Sequence, residues 1–117
     1  MKPLFWIGTS RDDLRSMPEG VRGTFGFALF LAQMGKKHEQ AKPLHGFGSA
    51  GVLEVVESDQ GGTYRAVYTV KFKQSVYVLH CFQKKSASGR ITAKRDIDLI
   101  KARLARAVET AKENDHA

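Results

Sequence analysis

Residues 52 to 82 constrain the fold more than any other stretch. Three runs rich in β-branched and aromatic residues follow one another: VLEVVE (52–57), TYRAVYTVKF (63–72) and VYVLHCF (76–82). Only DQGG (59–62) and a turn at 73–75 separate them. Runs of this kind, broken by glycine and polar turns, are strands. Links this short join antiparallel neighbours, because a parallel pair needs a long crossover. The middle of the chain is therefore predicted as a three-stranded meander, whose faces the flanking segments must cover.

The N-terminal flank supplies PLFWIG (3–8), a short strand ended by glycine. Thr9 or Ser10 can cap a short helix with Asp12 and Asp13 in its first turn. Pro18 starts a second helix, in which Val21, Phe25, Ala28, Leu29 and Ala32 recur at helical spacing. Phe27, Phe30, Leu31 and Met34 widen its apolar face, and the helix should end near Gly35. Gly20, Gly23 and Gly26 lie inside it. Each costs about 1 kcal/mol relative to alanine, and close packing against a neighbour is the expected offset. At the other end Thr92 is the expected N-cap of a last helix with the stripe Ile97, Ile100, Leu104, Val108 and Ala111. Residues 113–117 read as a frayed tail. The order β-α-α-β-β-β-α defines an α+β fold, one domain over residues 1–117, with a small, mainly antiparallel sheet packed against helices.

GFGSAG (46–51) fits the dinucleotide pattern G-x-G-x-x-G letter for letter. The mechanism of that pattern needs a strand before it and a helix after it, so that the helix N-terminus meets the pyrophosphate. Here a loop precedes and a strand follows, so no NAD site is expected and the glycines read as turn residues. No cofactor or metal is expected either. The four histidines (His38, His45, His80, His116) and the single Cys81 lack zinc-ligand spacing. Cys81 reads as a small core residue. The longest apolar run, FGFALFLA (25–32), is too short to span a bilayer. No signal peptide is visible, so a cytoplasmic protein without membrane contact is expected.

Charge narrows the partner. The net charge is +7. Residues 1–64 carry seven Lys/Arg against seven Asp/Glu, and residues 65–117 carry twelve against five, so the second half holds the whole excess. Such asymmetry points to a polyanionic partner. Its focus is Tyr64-Arg65 at the start of one strand and Phe82-Gln83-Lys84-Lys85-Ser86 at the end of the next. An antiparallel hairpin brings these together, which gathers Arg65, Lys84 and Lys85. Cations so placed expect an anion. Arg65 suits phosphate clamping through its bidentate fork. A lysine among like charges has a lowered pKa and can move a proton. These three are the candidate catalytic residues. Tyr64, Tyr68, Lys71, Arg90, Lys94 and Arg95 are candidate RNA contacts, and Tyr77 is a further aromatic that could stack on a base. Lys101 and Arg103 extend the basic surface. His80 alternates with Val78 and Phe82 and reads as a structural member of their face.

TYRAVY, VYVLHCFQKKS and the basic helix TAKRDIDLIKARL together resemble the phage-derived HigB-like branch of the RelE/ParE toxin superfamily. KPLHGFGSAGVLEVVE and FWIGTSRDDLRSMP carry the same likeness, which spans about residues 3–108. It implies a toxin of a type II toxin-antitoxin system, acting as a ribosome-dependent, metal-independent mRNA endonuclease. It also implies a helix-turn-helix antitoxin encoded nearby, with the ribosome and mRNA as the other partners. By position the strand arginine is Arg65 and the basic pair is Lys84 and Lys85. Relatives often start the last helix with Thr-Pro, where this chain has Thr92-Ala93. Two alternatives stay open: a ParE-like toxin that inhibits gyrase without cutting RNA, and an inactive RNA-binding phage remnant. The antitoxin should be acidic where it faces the C-terminal half. Its seat is either the site around Arg65 and Lys85 or the N-terminal helices with Phe27, Phe30 and Leu31, the latter slightly favoured.

Overall fold

The meander forms, and both flanks fold onto it. The computed structural model describes residues 1–84 and 92–115. In chain order the elements are β1 (Leu4–Trp6), α1 (Ser10–Arg15), α2 (Glu19–Gln33), β2 (Lys42–Pro43), β3 (Val52–Asp59), β4 (Gly62–Thr69), β5 (Val76–Lys84) and α3 (Lys94–Asp115). The sheet runs β1-β5-β4-β3-β2. The pairs β2/β3, β3/β4 and β4/β5 are antiparallel, while β1 lies parallel to β5. The two-residue β2 is absent from the sequence reading, because Lys42-Pro43 lacks any strand composition and proline fits only an edge.

The glycines of GFGSAG do what a turn requires. Gly46, Gly48 and Gly51 have φ of 96°, 56° and 67°, a region side chains avoid. A Cβ on Gly51 would also lie 3.0 Å from the backbone nitrogen of Lys71. The stretch then enters β3 directly. At the end of α2, Gly35 (φ 77°) sits past the last turn. Its N–H donates to Ala32 O and that of Lys36 to Leu31 O, which satisfies carbonyls the helix leaves open.

Two apolar layers sandwich the sheet. On one face α1 and α2 bring Leu14, Val21, Phe25 and Leu29 against Val55, Ala66, Tyr68, Val78 and Cys81. On the other, α3 brings Ile100, Ala107 and Ala111 against Val52, Val67, Tyr77 and Leu79. Val67 pairs with His80 and Tyr68 with Val78, so Leu79 is an extra residue. This bulge breaks the alternation expected for β5. Val78 faces α2, whereas Leu79, His80 and Phe82 belong to the α3 side. His80 therefore shares a face with Phe82 and not with Val78.

Two further expectations are corrected. Gly20, Gly23 and Gly26 do not mark a close approach, since a Cβ built on any of them meets nothing within 4 Å. Arg103 is not a surface cation but is buried in the core face of α3. Its guanidinium donates to Leu79 O at 2.9 Å and to Thr9 Oγ1 at 3.2 Å. It lies so close under Gly8 (φ 59°) that a Cβ there would come within 2.8 Å of Nη2. Thr9 in turn donates to Asp13 Oδ2 at 2.7 Å, so its hydroxyl links a side-chain pair and caps no backbone group. Among the described residues no helix is long and apolar enough to cross a membrane.

Candidate functional site

The α3-facing side of the sheet carries the polar residues. Register decides who shares it, because directly paired residues point the same way. Lys42 pairs with Glu54, Glu54 with Val67, Val56 with Arg65, Arg65 with Phe82 and Thr63 with Lys84. Lys42, Glu54, Arg65 and Lys84 therefore lie on one face, drawn from four strands. The start of α3 crosses above them.

Arg65 is buried, and so is Glu54. The Arg65 Nη1 donates to Glu54 Oε2 at 2.8 Å and to Thr92 Oγ1 at 3.0 Å. Lys42 Nζ reaches Glu54 Oε1 at 4.0 Å from a mostly exposed position. Thr92 thus ties the approach to α3 onto the site, and the helix starts later, at Lys94, with Ala93 O accepting from Ile97 N. The capping role expected of Thr92 is replaced by this bond to Arg65. The Lys84 ammonium is shielded from solvent, and no acceptor among the described residues binds it. Loss of water pushes its pKa below the ordinary 10.5, the Arg65 charge pushes it further, and Glu54 pulls it back. A cleft of roughly 630 Å³ opens over Lys42, Glu54 and Arg65, walled by Leu44, His45 and Ile97.

Of the expected gathering of Arg65, Lys84 and Lys85, the first two share this face and the third lies outside the described residues; Glu54 is a partner that sequence reasoning missed. The cations do not stand alone; Glu54 supplies an internal carboxylate. The signal was present: in VLEVVE, Glu54 occupies the same alternation as Val52 and Val56, and a carboxylate in the middle of a central strand needs a cationic partner.

The other candidates scatter. Tyr68 is fully buried on the α2 side, its hydroxyl has no partner among the described residues, and burial raises its pKa to about 12. It has no surface on which a base could stack. Tyr77 is also buried, stacked on Phe5 and bonded through its hydroxyl to Asn114. Tyr64 points to the opposite face from Arg65, where it lines a second cleft with Met17 and Gln83. Lys71 is exposed beyond the far end of β4, six residues and roughly 20 Å along the chain from Arg65 at strand rise. Lys94 is exposed and paired with Asp98 at 2.9 Å. Arg95 is exposed on the wall of the second cleft. Lys85 and Arg90 lie outside the described residues. Among the described residues no cluster suited to a metal ion occurs.

His80 forms a second polar cluster on the same face. Its Nε2 lies 2.9 Å from Asp96 Oδ1 and its Nδ1 3.5 Å from Arg103 Nη1. Its ring stacks on Phe82 at 4.3 Å. Arginine only donates, so Nδ1 accepts and Nε2–H donates to Asp96. Burial lowers the pKa below the ordinary 6.5; Asp96 opposes, Arg103 adds to the lowering and Asp13 opposes weakly. A lowered folded pKa means that the unfolded chain binds more protons in this range, so stability rises with pH there. The melting temperature is expected to fall as pH drops from 7.5 through 6.5 to 5.5. In His80→Gln that fall should shrink; an equal fall would assign the loss to other groups. Cys81 is a buried core thiol, with its pKa raised by burial to about 12.

A family model described as Phage derived protein Gp49-like (DUF891) matches residues 12–105. The chain belongs to the Gp49-like family. The match covers α1 through most of α3, and so includes every described residue of the site. Comparison with curated proteins gives no match. Among solved structures, a double-arginine mutant of the E. coli toxin RelE in the free state is similar at a TM-score of 0.55 and 15% identity, covering 92% of this chain and 97% of that one. The isolated E. coli RelE toxin is similar at 0.53 and 16%, covering 87% and 98%. The Gp49-like chain thus has the RelE fold, a five-stranded mixed sheet with three helices.

Proposed function

We propose that this protein is the toxin of a toxin-antitoxin pair and cleaves mRNA on the ribosome without a metal. The observation that carries the reading is the Glu54–Arg65 pair at 2.8 Å with Lys84 on the same face. Cleavage of RNA by its own 2′-hydroxyl needs a base, a clamp for the pentavalent phosphate and an acid for the leaving oxygen. Glu54 is the base: it takes the 2′-OH proton as that oxygen bonds to phosphorus. Arg65 exchanges part of its hold on Glu54 for the phosphate oxygens, where a planar fork matches the charge that develops. Lys84 gives its proton to the 5′-oxygen as the P–O bond breaks. The products are a 2′,3′-cyclic phosphate and a 5′-hydroxyl. The lowered pKa suits Lys84 to this step, because a lysine of ordinary basicity gives up its proton reluctantly near neutrality. Lys42 at the rim, and Lys85 and Arg90 in the segment between β5 and α3, are proposed to hold flanking phosphates.

End-group analysis of RNA cleaved by purified protein on programmed ribosomes tests the chemistry. Expected are 5′-hydroxyl ends and no cleavage where the 2′-hydroxyl is replaced by hydrogen. Cleavage of the 2′-deoxy substrate contradicts it. The acid role also fixes a pH dependence. Lys84 must be protonated, so the rate falls as pH rises through its folded pKa, below 10.5. In Lys84→Arg, which holds its proton throughout, the alkaline fall at that pKa should vanish along with most of the rate. A profile that Lys84→Arg leaves unchanged removes Lys84 from the mechanism.

A toxin needs a neutralising partner. We propose a helix-turn-helix antitoxin encoded nearby, with an acidic surface toward the cationic half of this chain.

A further inference from the structure

We infer that α2 is the interface of a weak homodimer, in which two copies pair antiparallel along the outer side of this helix. The inference is independent of the proposed activity. Gly20, Gly23, Phe27, Phe30 and Met34 are spaced three, four, three and four apart, which draws one stripe along a helix. Val21, Phe25, Ala28, Leu29 and Ala32 are buried toward the sheet on the other side. Along the stripe Phe27, Phe30 and Met34 are 54%, 46% and 49% exposed. The glycine half is open: a Cβ at Gly20 or Gly23 would meet nothing within 4 Å. Packing within the chain therefore leaves unexplained both the glycines and the bulky apolar side chains beside them.

The face is a notch at one end and a ridge at the other. Such a face fits a copy of itself turned end for end, as in an isologous two-fold pair. With the axis at Phe27, Met34 of each copy falls on Gly20 of the other, Phe30 falls beside Gly23, and the two Phe27 rings meet. Phe27 is already held from the side by the edge-on ring of buried His38, with centroids 5.6 Å apart. The charges agree with this direction. Glu19 is exposed next to Gly20, and Lys36 and Lys37 are exposed just past Met34. Antiparallel pairing sets Glu19 of one copy beside Lys36 of the other, whereas parallel pairing sets like against like. A 15-residue helix is about 22 Å long. One such contact buries less than the roughly 1,200 Å² of a standard interface, so the dimer is weak. Because α2 covers the face opposite Glu54 and Arg65, both candidate sites stay open in the pair.

Sedimentation equilibrium of the purified full chain tests this. The expected result is a monomer–dimer equilibrium with a dissociation constant on the order of 10–100 μM. Phe27→Asp should be monomeric at every concentration with an unchanged circular dichroism spectrum. Gly23→Leu fills the notch and should weaken association at least tenfold, although leucine favours the helix. Glu19→Lys should weaken it, and adding Lys36→Glu and Lys37→Glu should restore it. A wild-type chain that stays monomeric at the highest concentration overturns the inference, including the case in which its α2 face is covered only by a co-expressed antitoxin. So does a dimer indifferent to Phe27→Asp and Gly23→Leu, or a charge-reversed triple variant that fails to recover.

Discussion

Glu54→Gln is expected to lower RNA cleavage by about 10²- to 10⁴-fold, the range lost with a positioned general base, while the protein stays folded. Glutamine keeps the shape of glutamate, and its carbonyl can still accept from Arg65 Nη1. The contact at 2.8 Å therefore weakens but persists. What disappears is an acceptor for the 2′-OH proton. A circular dichroism spectrum and melting curve close to the parent's, together with single-turnover rates on programmed ribosomes, separate loss of chemistry from loss of fold. Parental rates in Glu54→Gln would leave Glu54 as the structural counter-ion of Arg65 and nothing more.

Arg65→Ala is expected to do double damage. Losing a donor aimed at the charge that develops in the transition state lowers the rate by about 10²- to 10³-fold. The variant also strands Glu54, whose side chain is 9% exposed, as a buried carboxylate without its partner. Breaking such a pair from one side destabilises by about 3–5 kcal/mol. Removing both charges should be milder, because neither member of the pair is left behind without the other. Urea unfolding of Arg65→Ala, Glu54→Ala and the double variant measures this. The double variant should be more stable than Arg65→Ala yet equally inactive. If the losses simply add, the two side chains are not coupled as their geometry requires.

The sequence made the fold legible because its strongest signals were local. β3, β4 and β5 follow from composition and short turns, and α2 from the spacing of Val21, Phe25, Leu29 and Ala32. The misses share a cause: each depends on tertiary partners. The Leu79 bulge is a property of the pairing of β5 with β4 and has no mark in VYVLHCF. Arg103 looks like one more cation in a basic helix until Gly8 and Leu79 O are found around it. Tyr68 carries the composition of a binding residue but falls on the covered face of the sheet. At the site, Arg65 and Lys84 could be placed together from the hairpin alone. Glu54 comes from a third strand, and only the β3/β4 register sets its carboxylate against Arg65.

The most direct measurement is a map of mRNA 5′ ends in cells induced for the parent and for Glu54→Gln at matched protein levels. The expected result is a set of cuts in phase with codons in the parent, with the set absent from Glu54→Gln. Intact mRNA accompanied by double-strand DNA breaks, or the same cuts in both proteins, would contradict a ribosome-dependent nuclease built on Glu54 and Arg65.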